Sequence, residues 1–230
     1  MDKVRILEIG KSIYENNDAE ADKLRGELRE RGVFLVNLMS SPGSGKTSSV
    51  LRVAEHLGDE MKIGVMEADI DSAVDAETVA AAGIPAIQIH TGGMCHLDAG
   101  MTRQGLESPE MAGCDLVILE NVGNLVCPAE FDTGAVKNLM ILSVPEGDDK
   151  PLKYPLMFSV ADLLLINKID CLSMFDFVTE AVRERAAALN PDITVIEVSA
   201  KTGEGFAQVA DWIRENREAW TQARTLSSGG

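Results

Sequence analysis

The stretch Val33-Phe-Leu-Val-Asn-Leu-Met-Ser40-Ser-Pro-Gly43-Ser44-Gly45-Lys46-Thr47-Ser48 decides the fold. Its apolar start, Val33–Leu38, is too short for a helix and rich in strand formers. A Ser/Pro/Gly cluster follows, then a helical pattern through Leu57. Strand, glycine loop and helix in that order match the phosphate-loop pattern G-x-x-x-x-G-K-[ST], with Ser40 in place of the first glycine. Gly43 and Gly45 let the backbone curl, so that N–H groups from Gly43, Ser44, Gly45, Lys46, Thr47 and Ser48 can cradle phosphates at a helix N-terminus. Lys46 can reach the β and γ phosphates, and the Thr47 hydroxyl can ligate Mg²⁺.

Outward from this loop the same alternation recurs. Candidate buried strands are Lys62–Glu67, Ala86–His90, Asp115–Glu120, Asn138–Val144, Asp162–Asn167 and Thr194–Val198. Helical patterns cover Asp75–Ala82, Phe175–Leu189 and Phe206–Trp220. Strands apolar throughout and alternating with helices predict a doubly wound α/β domain with a mostly parallel sheet and helices on both faces. Its ligand site is expected at the carboxyl ends of the strands. Residues 1–32 read as an N-terminal helical extension on the nucleotide domain, with Leu24 and Leu28 on an amphipathic helix stopped by Gly32. Residues 33–220 form the nucleotide-binding domain, and 221–230 are expected to be a disordered tail.

The chain has 230 residues, 21 Lys plus Arg and 37 Asp plus Glu, for a net charge of −16. Such a chain is not expected to bind nucleic acids or anionic membranes by general electrostatics, which leaves room for a local basic site. No apolar run reaches the roughly 20 residues of a membrane span, and no signal peptide is evident. The four cysteines form no CxxC pair. Reduced thiols and a cytoplasmic location are expected.

Two further motifs read the base. Asn167-Lys168-Ile169-Asp170 closes one apolar run, and Ser199-Ala200-Lys201 closes another. The Asp170 carboxylate can accept both N1–H and the exocyclic amine of guanine, donors that adenine lacks; discrimination on the order of 10⁴ is within reach of such a pair. Asn167 can bridge loops near the base, the Lys168 stem can cover its face, and the Ala200 N–H can meet O6. GTP and GDP are therefore the expected ligands. Glu120-Asn-Val-Gly123 resembles the D-x-x-G motif, with Glu120 for Asp and Gly123 in place for the γ-phosphate. Mg²⁺ is expected to be held by Thr47, Glu120 and one of Asp69 or Asp75, with Asp71 a solvated loop charge. No glutamine follows Gly123 to orient water, so slow intrinsic hydrolysis is expected, helped by a partner or a second subunit.

Cys95-His96 follows the strand ending at His90, and Cys127 follows the Glu120 motif. Two thiolates and an imidazole suit Ni²⁺ or Zn²⁺ and leave an open position, better for transfer than for structure. Spacing alone equally allows the cysteines to be small buried residues, which is the expectation for Cys114 and Cys171. His56 and His90 read as structural or surface residues.

SPGSGKT, ENVGNLVCP (120–128), EGDDKPLKYP (146–155), NKID and CHLDA (95–99) together resemble the HypB-type hydrogenase nickel-incorporation GTPases over roughly residues 33–220. The resemblance implies a Rossmann-like P-loop NTPase domain that forms a homodimer with GTP. It implies that Cys95, His96 and Cys127 ligate Ni²⁺ or Zn²⁺ at the dimer interface, and that Lys153 lies near the partner's nucleotide. It also implies a nickel-maturation partner protein and a hydrogenase large-subunit precursor as recipients. The chain departs from some members in having no N-terminal Cys motif and no His-rich stretch, so a storage role is not expected. Two other readings stay open. One is a GTPase assembling another metalloenzyme, such as urease or a cobalamin-dependent mutase. The other is a GTP switch in which Cys and His are structural.

Overall fold

Apolar strands separated by helices can pair their backbones and bury both faces only in a parallel sheet covered on both sides. The computed structural model shows this arrangement. It describes residues 5–8, 17–69 and 74–227, with the backbone alone for Glu8 and residues 223–227. The strands are β1 (Arg5–Glu8), β2 (Phe34–Ser40), β3 (Ile63–Asp69), β4 (Ala86–His90), β5 (Leu116–Glu120), β6 (Lys137–Ser143), β7 (Leu163–Asn167) and β8 (Thr194–Glu197). They form one eight-stranded sheet in the order β1-β4-β3-β5-β2-β6-β7-β8. Every pairing is parallel. All carboxyl ends therefore share one edge, and every motif quoted above leaves the sheet there.

The helices are α1 (Asn17–Arg31), α2 (Lys46–Leu57), α3 (Val74–Ala81), α4 (Ala99–Leu106), α5 (Cys127–Glu130), α6 (Lys150–Lys153), α7 (Pro155–Val160), α8 (Thr179–Leu189) and α9 (Phe206–Ser227). The pleat of β2 sorts its side chains between two layers. Phe34, Val36 and Leu38 face a core shared with Val50, Val53 and Leu57 of α2 and Ile213 of α9. On the other face Leu35 meets Leu24 and Leu28 of α1 and Met101 of α4, while Met39 joins Met157, Phe158 and Val182 from α7 and α8.

Three expectations are corrected. Among the described residues of the N-terminal extension, the helix spans Asn17–Arg31. Arg5–Glu8 instead forms an edge strand, pairing Arg5 with Ile87 through Glu8 with His90. Four residues are too few to show a helical period, and the open edge of β4 supplies backbone partners that the sequence cannot reveal. At the other end, α9 does not stop at Trp220 but runs to Ser227. Trp220 anchors it, since its Nε1 donates to the Val33 carbonyl at 3.2 Å and its ring lies 4.1 Å from the Arg29 guanidinium. Residues 228–230 of the expected tail, and Asp71, lie outside the described residues. Finally, α8 begins at Thr179 rather than Phe175. Residues 169–174 form a 3₁₀ turn, Phe175 is extended, and the Asp148 carboxylate accepts the Val178 N–H.

Leu28 is fully buried between α1 and the sheet. Leu28→Ala is expected to cost about 2–5 kcal/mol, seen as a lower urea midpoint at unchanged slope.

Candidate functional site

Gly43 and Gly45 adopt φ of +74° and +102°, a region open to glycine. A Cβ on Gly45 would lie 2.5 Å from Asn167 Nδ2. Gly45 also N-caps α2 and has no side chain to accept from the first turn. The opening N–H groups of that helix are thus left for an anion. Ser40 meets the missing-glycine question directly. Lys168 is the one non-glycine with positive φ among the described residues, so position 40 needs no glycine. Its buried hydroxyl accepts from Ser44 Oγ at 2.6 Å and donates to the Ser41 carbonyl at 2.8 Å, bracing the loop. Ser41 Oγ in turn donates to Glu146, whose other carboxylate oxygen caps Ser143 at the end of β6.

The base motifs are latched to this loop. Asn167 Nδ2 donates to the Ser44 carbonyl at 2.9 Å. Its Oδ1 accepts from Lys168 N at 2.7 Å and Ala200 N at 3.0 Å. The Ala200 N–H expected to face O6 is therefore engaged by Asn167 in this structure. Lys168 Nζ donates to the Gly43 carbonyl at 2.6 Å, so its stem spans the gap between the base motif and the phosphate loop. Asp170 accepts from Ser199 Oγ at 2.6 Å and lies 3.8 Å from Lys201 Nζ. The Ser199 hydrogen bond holds its carboxyl below the ordinary value, so it stays an acceptor. A cleft of about 260 Å³ opens here, lined by Gly45, Ser48, Asn167, Asp170, Cys171 and Ala200. Cys171 is thus half-buried on the cleft wall, not the core residue expected; Cys114 is buried as expected.

A second cleft, of about 400 Å³, is lined by Lys46, Thr47, Ser48, Asp75, Thr78 and Glu120. Thr47 Oγ1 donates to Asp75 at 2.9 Å, and Lys46 Nζ lies 3.6 Å from Glu120. Of the two aspartates left open by the sequence, Asp75 reaches Thr47. Asp69 ends β3 opposite His90. The sequence reading missed Glu67. It pairs in register with Glu120 across β3 and β5, and each is only 3% exposed. Burial, then the neighbouring Glu120, push the Glu67 carboxyl well above the usual range; burial raises Glu120 too, against the pull of Lys46. Glu67 Oε1 and Glu120 Oε2 have no hydrogen-bond partner. Two buried carboxyls beside one lysine and one threonine hydroxyl fit a hard divalent cation such as Mg²⁺. The signal available was an acid inside the otherwise apolar run Ile63–Ala68. Gly123 lies flush against the phosphate loop, since a Cβ there would meet Pro42 at 3.1–3.3 Å.

Asn124 joins this edge to the cysteines. Its N–H donates to the Ser40 carbonyl at 2.9 Å. Its Oδ1 accepts from Val126 N at 2.7 Å and Cys127 N at 3.3 Å, and its Nδ2 lies 3.5 Å from Cys127 Sγ. A hydrogen bond with Cys95, and then burial, raise the Cys127 thiol, so a metal must displace its proton. His96 Nδ1 lies 3.9 Å from Cys95 Sγ, and its ring stacks on Phe131 at 3.7 Å. Burial lowers the His96 pKa, against Asp98 and Glu130, and so favours the neutral imidazole that metals bind. Asp98 is occupied as the N-cap of α4, accepting from Met101 N at 2.8 Å. Among the described residues, no three His, Cys, Asp or Glu side chains converge as a finished cage. Lys153 is exposed on α6, pairs with Asp149 at 2.5 Å and lines neither cleft.

Residues 34–197 match the model of the CobW/HypB/UreG nucleotide-binding domain. The chain is 47% identical to the hydrogenase maturation factor HypB of Azotobacter vinelandii over 220 residues, 96% of this chain and 73% of that one. The chain belongs to the HypB family. The crystal structure of Helicobacter pylori HypB in complex with nickel superposes with a TM-score of 0.83 at 37% identity, covering 88% of this chain and 95% of that one. HypB from Archaeoglobus fulgidus gives 0.80 at 42% identity, over 87% and 98%. As a HypB-type chain, it carries a nucleotide-binding domain of the P-loop kind. No helix among the described residues is long and apolar enough to cross a membrane.

Gly45→Ala is expected to add about 1–2 kcal/mol of backbone strain and to displace Asn167. GDP affinity by calorimetry should fall roughly tenfold or more.

Proposed function

We propose that this chain is a GTP-hydrolysing nickel chaperone of hydrogenase maturation. The observation that carries this reading is Asn124, whose backbone holds the phosphate loop while its side chain holds Cys127. A γ-phosphate that moves the Gly123 segment must therefore move a nickel ligand.

The N–H groups from Gly43 to Ser48 and the Lys46 ammonium receive the phosphates of GTP. Asp170 selects guanine, while Asn167, Lys168 and the Ser199–Lys201 loop fix the base cleft. Thr47 and Glu120, with Asp75 reached through Thr47, hold Mg²⁺, which neutralises phosphate charge when bound. Asp69 belongs to this set only if β3 and the segment after it rearrange. Gly123 offers its N–H to the γ-phosphate. Asn124 is bonded to the Cys127 segment and Leu125 is buried, so neither orients water. Turnover by a lone protomer is therefore slow.

Nickel, the cargo, is taken by Cys95, His96 and Cys127; zinc fits the same donors. Val126, Leu152 and Leu156 are exposed apolar residues beside Cys127 and Lys153, Leu152 at 66%. A second copy covering them in the GTP state would bring Lys153 toward the partner's nucleotide. A nickel-maturation partner and the hydrogenase large-subunit precursor then receive the metal, in the cytoplasm.

The reduced protein should bind Ni²⁺ stoichiometrically, and Cys95→Ala or Cys127→Ala should weaken binding at least tenfold. Light scattering should show dimer with a non-hydrolysable GTP analogue and monomer with GDP. Unchanged nickel affinity in both cysteine variants leaves a GTP switch. Activation of apo-urease but not apo-hydrogenase redirects the cargo.

A further inference from the structure

The three nickel donors proposed above come from two segments, 95–96 and 127, with 30 intervening residues. Between them run a Cys95–Cys127 hydrogen bond and the stacking of His96 on Phe131, both made by the ligand segments themselves. Asn17, the first residue of α1, bonds the backbone just past each segment, at Ala99 and at Asp132. Its Oδ1 accepts from Ala99 N at 3.0 Å, three residues past His96. Its Nδ2 donates to the Asp132 carbonyl at 2.9 Å, next to the Phe131 ring that stacks on His96. The Asp132 carboxylate is gripped further along the same helix by Arg25, with two hydrogen bonds of 2.8 Å. Burial opposes ionisation of Asp132, but the Arg25 bonds prevail and hold its carboxyl below the usual range. On the side of α4, Arg103 pairs with Glu20 and Glu27 of α1. Leu24 and Leu28 seat the helix in the core, and an added Cβ at Gly134 would lie 2.7 Å from Leu24. The frame that carries Asn17 is therefore rigid.

We propose that Asn17 is a positioning residue for nickel: its single amide sets the distance between the Cys95-His96 segment and the Cys127 segment. This rests on those residues being the nickel ligands. The N-terminal helix is then a working part of the metal site, although it contributes no ligand. Groups that orient metal ligands typically change affinity by 10–100-fold when removed. Asn17 lines neither nucleotide cleft, so the guanine nucleotide affinity of the metal-free protein is independent of it.

The test is a Ni²⁺ titration of the reduced full chain, reading affinity and the thiolate-to-nickel charge-transfer band, with the GDP affinity of the metal-free protein measured alongside. Asn17→Ala should weaken nickel binding about tenfold or more and shift the band, with GDP affinity unchanged. Asn17→Asp keeps the acceptor for Ala99 N and loses the donor to Asp132, so it should fall between wild type and Asn17→Ala. Leu28→Ala serves as the stability control, loosening the same helix without touching the amide. If wild type shows a Cys127-dependent band and Asn17→Ala matches it in position and affinity, the positioning role is wrong while the nickel site stands. If Leu28→Ala weakens nickel and shifts the band as much as Asn17→Ala, general loosening explains the effect and the proposal is overturned. If Cys95→Ala and Cys127→Ala leave nickel affinity unchanged, the ligand assignment fails first and takes the proposal with it.

Discussion

The hydrogen bond from the Asn124 amide to the Ser40 carbonyl, 2.9 Å long, constrains the whole carboxyl edge. It fixes the segment after β5 against the phosphate loop after β2. Neighbouring bonds extend the same edge in both directions. Asn121 N donates to the Leu38 carbonyl and Asn121 Nδ2 to Asn37. On the far side, Asn167 reaches Ser44 and Ala200. Loops that are covalently distant are thus tied by hydrogen bonds to the phosphate-loop segment from both sides. A ligand that repositions one member acts on the others, which is the physical content of coupling between two sites.

The acidity of the chain gives this edge its character. With a net charge of −16, the protein cannot attract a nucleotide by its overall field. Anion binding must come from local dipoles: the glycine loop, the start of α2, and Lys46. The same acidity draws divalent cations. Glu67 and Glu120, buried side by side, form a low-dielectric carboxyl pair that a cation relieves. One edge thus carries two donor chemistries, thiol and imidazole at Cys95, His96 and Cys127 and carboxyl and hydroxyl at Glu67, Glu120 and Thr47, which suit a softer and a harder cation respectively.

Much of this was legible in the sequence because its signals are local. Strands β2–β8 lie within two residues of their expected ends, since apolar runs closed by Gly, Ser, Asn or Asp mark buried parallel strands. The phosphate loop, NKID and the Glu120–Gly123 motif were readable by spacing. What escaped depends on distant partners. Arg5–Glu8 becomes a strand only because β4 has an open edge. Helices α4–α7 are too short to show a long apolar period, and α4 is set by its Asp98 cap. Glu67 is hidden in an apolar run, and its meaning appears only opposite Glu120. Asn17 has partners 82 and 115 residues away. The choice between Asp69 and Asp75 at Thr47 depended on where α3 packs against the start of α2, which composition does not encode.

In the proposed function, nucleotide state reaches nickel through Asn124. The most direct measurement is the ratio of nickel affinities with GDP and with a non-hydrolysable GTP analogue, in wild type and in Asn124→Ala. The expected ratio is at least several-fold in wild type and collapses toward one in the variant, with nucleotide affinity showing the reciprocal change. An Asn124→Ala ratio equal to that of wild type would contradict this route.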